Sequence, residues 1–306
     1  MSVYINGLTK KFGTQTAVNN LSFDAHPGQI LGFLGPNGAG KTTTMKMICC
    51  YMEPTEGTAI IDGDDIMTSP LAVKKKIGYL PEHNPLYEEM FVKEFLQFVA
   101  SIHRIENKNA RISEVIGMTG LGSEQNKIIG TLSKGFRQRV GLAQAIIHDP
   151  SVLILDEPTS GLDMNQLVDI RKLIKELSRE KTVIFSSHIM QEVQALCDRV
   201  VIINDGSLVA DESIENLSSM MKGRQIISVE IEEKLIPPII FENIRGLEQI
   251  SVEDHRLIFT AESGADIRKE IYNTVVKNNL TLLEMKQEKA TIEDIFRKLT
   301  KTTVNV

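Results

Sequence analysis

What this chain lacks narrows it first. Its three cysteines, Cys49, Cys50 and Cys197, form no C-x-x-C spacing and no even framework, so neither zinc nor structural disulfides are implied and a reducing compartment fits. No apolar run approaches the roughly 18 residues needed to span a bilayer, and the opening Met1-Ser2-Val3-Tyr4-Ile5-Asn6-Gly7 has no basic-then-apolar leader. The chain is not expected to cross a membrane by itself. Excess positive charge is missing as well. A net charge of −6 argues against a general polyanion binder, so no nucleic-acid partner is expected. Internal repeats and low-complexity tracts are absent too. What is present, 42% hydrophobic and 24% charged residues, is the balance of an ordinary soluble globular protein. A length of 306 residues suits about two domains of roughly 100–200 residues each.

One glycine-rich stretch carries much of the chemistry. Gly35-Pro36-Asn37-Gly38-Ala39-Gly40-Lys41-Thr42-Thr43 reads G-x-x-x-x-G-K-T and follows the apolar run Gln29 to Leu34, the strand-loop-helix setting of a Walker A phosphate loop. A bound polyphosphate needs several backbone N–H donors converging on it, and glycines let the chain turn tightly with no side chain in the way. Lys41 would neutralise the β- and γ-phosphates and the Thr42 hydroxyl would hold Mg²⁺. The helix that starts there would aim its N-terminal amides at the phosphates. ATP and Mg²⁺ are the expected ligands.

The rest of the chain reads as an α/β protein with a helical interruption. Residues 2 to 34 alternate short apolar runs with turn signals, which predicts a small antiparallel sheet. A helix is expected from Thr43 to about Met52, then strands at Thr58 to Ile61 and Lys76 to Leu80. Helical spacing at Phe95, Leu96, Phe98, Val99 and Ile102, and a second helix from about Asn109 to Met118, open a helical insert over about residues 85 to 145. The apolar run Ser151 to Leu155 belongs buried on both faces of a mostly parallel sheet. A helix from Gln166 to Arg179 and strands at Thr182 to His188 and Arg199 to Ile203 follow, the last turned by Asn204-Asp205-Gly206. Beyond Ser218 the composition changes. Strand Gln225 to Ile231, a weak helix from Pro237 to Ile244, strands Leu247 to Val252 and Leu257 to Thr260, a helix Asp266 to Lys277 and a strand Leu280 to Met285 give βαββαβ. That is the order of a ferredoxin-like unit, with a closing helix Ile292 to Leu299. The expected division is residues 1–218 and an α+β accessory domain over 219–306.

Four further features carry chemistry. Asp156 and Glu157 end an apolar strand, where ligands of open α/β sheets bind; Asp156 would hold Mg²⁺ and Glu157 would polarise the attacking water. His188 ends the next strand and should lie beside Glu157 if the two strands are neighbours, which would place it on the γ-phosphate. Phe12 is either a packed hydrophobe or an aromatic that stacks on a base. Ser133 and Gly135 open a helix, and on physical grounds that start is equally an ordinary capped helix or a second anion site.

Taken in order, the Walker loop, Leu132-Ser133-Lys134-Gly135-Phe136, Leu153 to Asp156 with Glu157, Ser160-Gly161-Leu162-Asp163 and His188 resemble the motifs of the ATP-binding subunit of an ABC transporter, over about residues 2 to 217. The resemblance implies a P-loop NTPase core with Mg²⁺-dependent ATPase activity. It also implies a head-to-tail dimer, with a second copy or a paralogue, in which Ser133, Gly135 and Asp163 of one subunit close over ATP held by the other. Phe12 falls at the family's adenine-stacking aromatic. An integral-membrane permease is the implied partner, at the cytoplasmic face of a bacterial membrane. Two residues depart from the family pattern around the signature, Lys134 and Phe136. Glu82 replaces the glutamine that joins Mg²⁺; a carboxylate can still serve there. Leu80-Pro81-Glu82, the closing Ala290 to Phe296 segment and the extra domain are similar to the exporter-type subfamily, most of all to its gliding-motility-associated ATP-binding subunit. The rival expectations are a soluble ABC ATPase with no permease and a nucleotide-gated regulatory module.

Overall fold

Alternating apolar and polar residues make Val3–Phe12 (β1) and Gln15–Ala25 (β2) a hairpin with one buried face, and β1 carries Lys10 to Phe12. In the computed structural model, which describes residues 2–220, 225–233, 237–253, 256–262, 264–289 and 296, β1 also pairs with Glu56–Ile61 (β4), and Asp64–Asp65 (β5) completes this antiparallel sheet. Ile30–Leu34 (β3) leaves it for a second sheet. Its neighbours there are Ile77–Leu80 (β6), Val152–Asp156 (β7), Thr182–Ser187 (β8), Arg199–Asn204 (β9) and Ser207–Ser213 (β10), in the order β10-β9-β3-β8-β7-β6. β3, β6, β7, β8 and β9 run parallel, and β10 folds back on β9. Every residue of β3, β7 and β8 is buried, as runs without polar alternation require.

The helices follow their local signals. Lys41–Ile48 (α1) leaves the glycine loop and ends before the expected Met52, because Cys50 turns into the left-handed region at φ 57° and the Tyr51 N–H folds back on the Lys46 carbonyl. Pro70–Lys76 (α2) went unforeseen, although Ser69 before Pro70 is a helix-start signal. Val92–Ile102 (α3), Lys108–Met118 (α4) and Lys134–Ile146 (α5) form the insert. Met164–Ser178 (α6) and Met190–Leu196 (α7) complete this part, and Ile214–Met220 (α8) starts at its last described residue.

The described residues divide into two compact units between Ile214 and Glu215. The second contains Gln225–Ile231 (β11), Leu247–Glu253 (β12), Arg256–Ala261 (β13), Arg268–Lys277 (α9) and Leu282–Lys289 (β14). Its antiparallel sheet has the order β12-β13-β11-β14, the ferredoxin-like arrangement. The expected helix over Pro237 to Ile244 is a single 3₁₀ turn, Pro238–Phe241, since Pro237 is held extended before a second proline. Phe241 still reaches the core, edge on to Phe259 at 5.0 Å. The closing helix expected over Ile292 to Leu299 lies, apart from Phe296, outside the described residues.

One packing contact in the first unit sets a pH dependence. His148, just past α5, places Nε2 3.0 Å from the Ile77 carbonyl, and its ring stacks on His103 at 4.0 Å and 8°. Nδ1 is buried without a partner. Burial first, then His103, Lys181 and Arg111, push its pKa down to about 4, against the backbone hydrogen bond. The unfolded chain therefore takes up this proton more readily. The neutral ring's contribution is complete above about pH 6.5 and is lost as pH falls toward 4, up to about 3 kcal/mol. We expect His148→Gln to show a smaller drop in urea midpoint than wild type between pH 6.5 and 4.5. Parallel drops would remove His148 as the cause.

Candidate functional site

The parallel register brings three strand ends to one edge. Leu34 lies beside Ser187, and Asp156 beside Ser186, so the glycine loop after β3 comes to the same edge as the acidic pair at the end of β7 and His188 after β8. Between them is a cleft of about 580 Å³. Asn37, Gly38, Gly40, Lys41, Thr42 and Thr43 line it on one side, and Glu82, Glu157 and His188 on the other. Gly40 has φ 99°, and a Cβ there would fall 2.5 Å from the Ala17 carbonyl oxygen, so a larger residue meets both backbone strain and backbone atoms. Gly35, Pro36 and Ala39 of the same loop do not line the cleft. The Gly35 and Pro36 carbonyls accept from Lys41 Nζ at 2.7 and 3.2 Å, and the Ala39 carbonyl accepts from the Gly206 N–H at 3.1 Å.

Polar contacts tie the strand ends together. Thr42 Oγ1 donates to Asp156 Oδ2 at 2.9 Å, and Ser186 Oγ donates to Asp156 Oδ1 at 2.6 Å. Asp156 is fully buried. Glu157 has φ 51°, a left-handed conformation uncommon for a non-glycine residue, and its N–H donates to Ser186 Oγ at 3.1 Å. His188 Nδ1 lies 2.9 Å from Glu157 Oε2, and Lys41 Nζ lies 3.9 Å from Glu157 Oε1. Burial raises the Glu157 pKa, against the His188 hydrogen bond and the Lys41 charge. Burial also lowers that of Lys41, against Glu157, Asp156 and Glu82. A carboxylate with a raised pKa beside an exposed imidazole is a base suited to drawing a proton from water near neutral pH.

Phe12 stands at the cleft mouth, 47% exposed, with Lys10 Nζ 5.4 Å from its ring centroid. Ser133, Gly135 and Asp163 do not line this cleft. Ser133 caps α5, accepting from the Phe136 N–H at 3.4 Å, and Asp163 caps α6, accepting from the Gln166 N–H at 2.9 Å.

A family described as ABC transporter matches residues 18–160. NatA, an ABC transporter ATP-binding protein of Bacillus subtilis, is 42% identical over 66% of this chain and 83% of its own length. BcrA of Bacillus licheniformis, a bacitracin transport ATP-binding protein, is 33% identical over 95% of each chain. The chain belongs to the ABC transporter ATP-binding subunits. It is an ATP-binding protein and an ABC-type ATPase. A dimeric cassette of MJ0796, whose post-hydrolysis state was solved with ADP and Pi, superposes with a TM-score of 0.64. It is 26% identical and covers 69% of this chain and 98% of the cassette.

Gln15 and Ala17 on β2 also line the cleft of this ABC ATPase and Ser186 joins Asp156 to Glu157, three residues that no sequence motif marks. Two adjacent serines, Ser186 and Ser187, directly after the apolar run 183–185 were the available signal for Ser186. Ser186→Ala strips the Glu157 N–H of its acceptor and Asp156 of one donor. Its urea midpoint should fall by the equivalent of about 1–3 kcal/mol with an unchanged denaturant slope; an unmoved midpoint would contradict this account of Ser186.

Proposed function

We propose that this subunit hydrolyses ATP in a head-to-tail pair of ATP-binding subunits and drives a separate integral-membrane permease in the direction of export. The observation that carries the hydrolytic reading is the convergence of Lys41, Thr42, Glu157 and His188 on one cleft, with Asp156 hydrogen-bonded to Thr42 behind it. Glu157 is the base that takes a proton from the attacking water, and His188 orients Glu157 and the γ-phosphate. Lys41 neutralises phosphate charge, and Phe12 at the mouth stacks on adenine.

Thr42 and Glu82 line the cleft and, with Asp156, also line an adjoining pocket, so the three offer hard oxygen donors, a set that fits Mg²⁺ completed by phosphate and water oxygens. When bound, that ion supplies charge neutralisation across the β- and γ-phosphates.

Support for the pair comes from what the cleft leaves out. Ser133 and Gly135 head a helix elsewhere on the chain, and the MJ0796 cassette that superposes here is a dimer. Among the described residues no helix is long and apolar enough to cross a membrane, which is consistent with a separate permease. The insert's exposed Tyr87, Phe98 and Ile102 suit a protein contact, and such a contact would hold the subunit at the cytoplasmic face. Export is supported by full-length likeness to BcrA and to a linearmycin resistance ATP-binding protein of Bacillus subtilis, 31% identical over 97% of each chain. The narrower likeness to the gliding-motility-associated subunit finds no counterpart among the relatives named here.

Two measurements test the proposal. Glu157→Gln should keep ATP binding while turnover falls roughly 100- to 10,000-fold; undiminished hydrolysis would remove Glu157 as the base. Co-purification from native membranes in mild detergent should recover an integral-membrane partner, and recovery of ribosomes or of free dimer would count against the transport role.

A further inference from the structure

Glu157 and His188 stand on separate strand-end segments, and their 2.9 Å contact persists only if those segments keep one spacing. Beneath them lies a buried carboxylate that the cleft does not use. Glu192 on α7 is 5% exposed, and its Oε2 accepts from Thr159 Oγ1 at 2.5 Å and from Ser187 Oγ at 3.0 Å. Thr159 lies two residues beyond Glu157, and Ser187 immediately precedes His188. Both hydroxyl residues are buried. Ser187 Oγ also accepts from the Ile189 N–H at 3.0 Å, so the backbone is fixed on both sides of His188.

The β7 side is equally short of slack. The Ser160 N–H donates to the Glu157 carbonyl at 3.1 Å, and the Leu162 N–H donates to the Thr159 carbonyl at 3.3 Å. Thr159 is therefore inside the turn that starts at Glu157 and ends at the α6 cap. Apolar side chains of similar volume would fill this gap without the desolvation cost of a buried charge, but they would not set the direction of two hydroxyls.

We infer that Glu192 is a positioning residue for ATP hydrolysis: by holding Thr159 and Ser187 on one oxygen it sets the separation of the β7 and β8 ends, and so the aim of Glu157 and His188. The inference rests on the roles proposed above for those two residues. It predicts a loss in turnover that is separable from ATP binding, because Glu192 does not line the nucleotide cleft.

The test compares steady-state hydrolysis and nucleotide binding for Glu192→Ala, Glu192→Gln and Thr159→Val in the full-length chain, with Glu157→Gln and His188→Ala alongside. Glu192→Ala should lower kcat about 10- to 100-fold, the scale of an ångström-sized misplacement, with the Kd for ATP within about 3-fold of wild type. Glu192→Gln keeps an acceptor oxygen and should recover kcat to within about 5-fold of wild type. Thr159→Val keeps the shape without the donor and should fall between them, and it carries the test if Glu192→Ala does not fold. An unchanged kcat in Thr159→Val, or losses confined to Kd or to the thermal midpoint, would overturn the inference. Undiminished kcat in both Glu157→Gln and His188→Ala would overturn it by a different route, through the roles it rests on.

Discussion

The in-register pairing of β8 with its two parallel neighbours is the constraint on which the cleft depends. Ser186 lies against Asp156 on one side and Ser187 against Leu34 on the other. Moving either pairing by one residue would turn alternate side chains to the opposite face of the sheet. The Ser186 hydroxyl would then lose both the Asp156 carboxylate it donates to and the Glu157 amide it accepts from. With both faces of these strands buried, apolar patterning alone does not choose the register, and the polar contacts of Ser186 at the strand ends discriminate against a slip.

A second condition is electrostatic. Asp156, Glu157 and Lys41 are all nearly buried, and an isolated charge in such a place is costly unless it is paired. Each is offset by the others and by fixed donors or acceptors. Lys41 returns its ammonium to two backbone carbonyls, Asp156 accepts from two hydroxyls, and Glu157 meets His188. Burial still dominates at Glu157 and Lys41, displacing each pKa toward the neutral form. In the proposed function a triphosphate would offer Lys41 stronger partners than carbonyl oxygens, so binding would exchange weaker contacts for charged ones within an already formed frame.

How much of this was legible in the sequence follows from the range of the interaction involved. The glycine loop, the apolar strand before Asp156 and the cap at Ser133 are local patterns, and they appear where their residues predict. The adjacency of His188 and Glu157 could be stated only conditionally, because it needs the pairing of β7 with β8, which no short stretch encodes. Gln15, Ala17 and Glu192 were beyond reach for the same reason. Their partners are distant in the chain or lie on another element. The shortened α1 and the single turn at Pro238–Phe241 mark the opposite error, in which tight turn geometry at Cys50 and two prolines overrode a helical pattern.

The departures at the start of α5 gain a physical setting from its packing. Gly135 admits the Gln166 side chain so closely that a Cβ would fall 2.4 Å from its Oε1, and a Cβ at Gly161 would fall 2.2 Å from Lys134 Nζ. Lys134, one of the two departures from the family pattern, therefore reaches across to the turn that runs from Glu157 to Asp163. The start of α5 and the start of α6 are locked to each other within one chain. Thr159 sits in that same turn and is held by Glu192, so a displacement at the head of α5 has a packed route to the end of β7. A larger side chain at Gly135 would have to expel Gln166, whose side chain accepts from the Asp163 N–H and closes the α6 cap. That requirement for close approach explains a glycine at this position even before any nucleotide is considered.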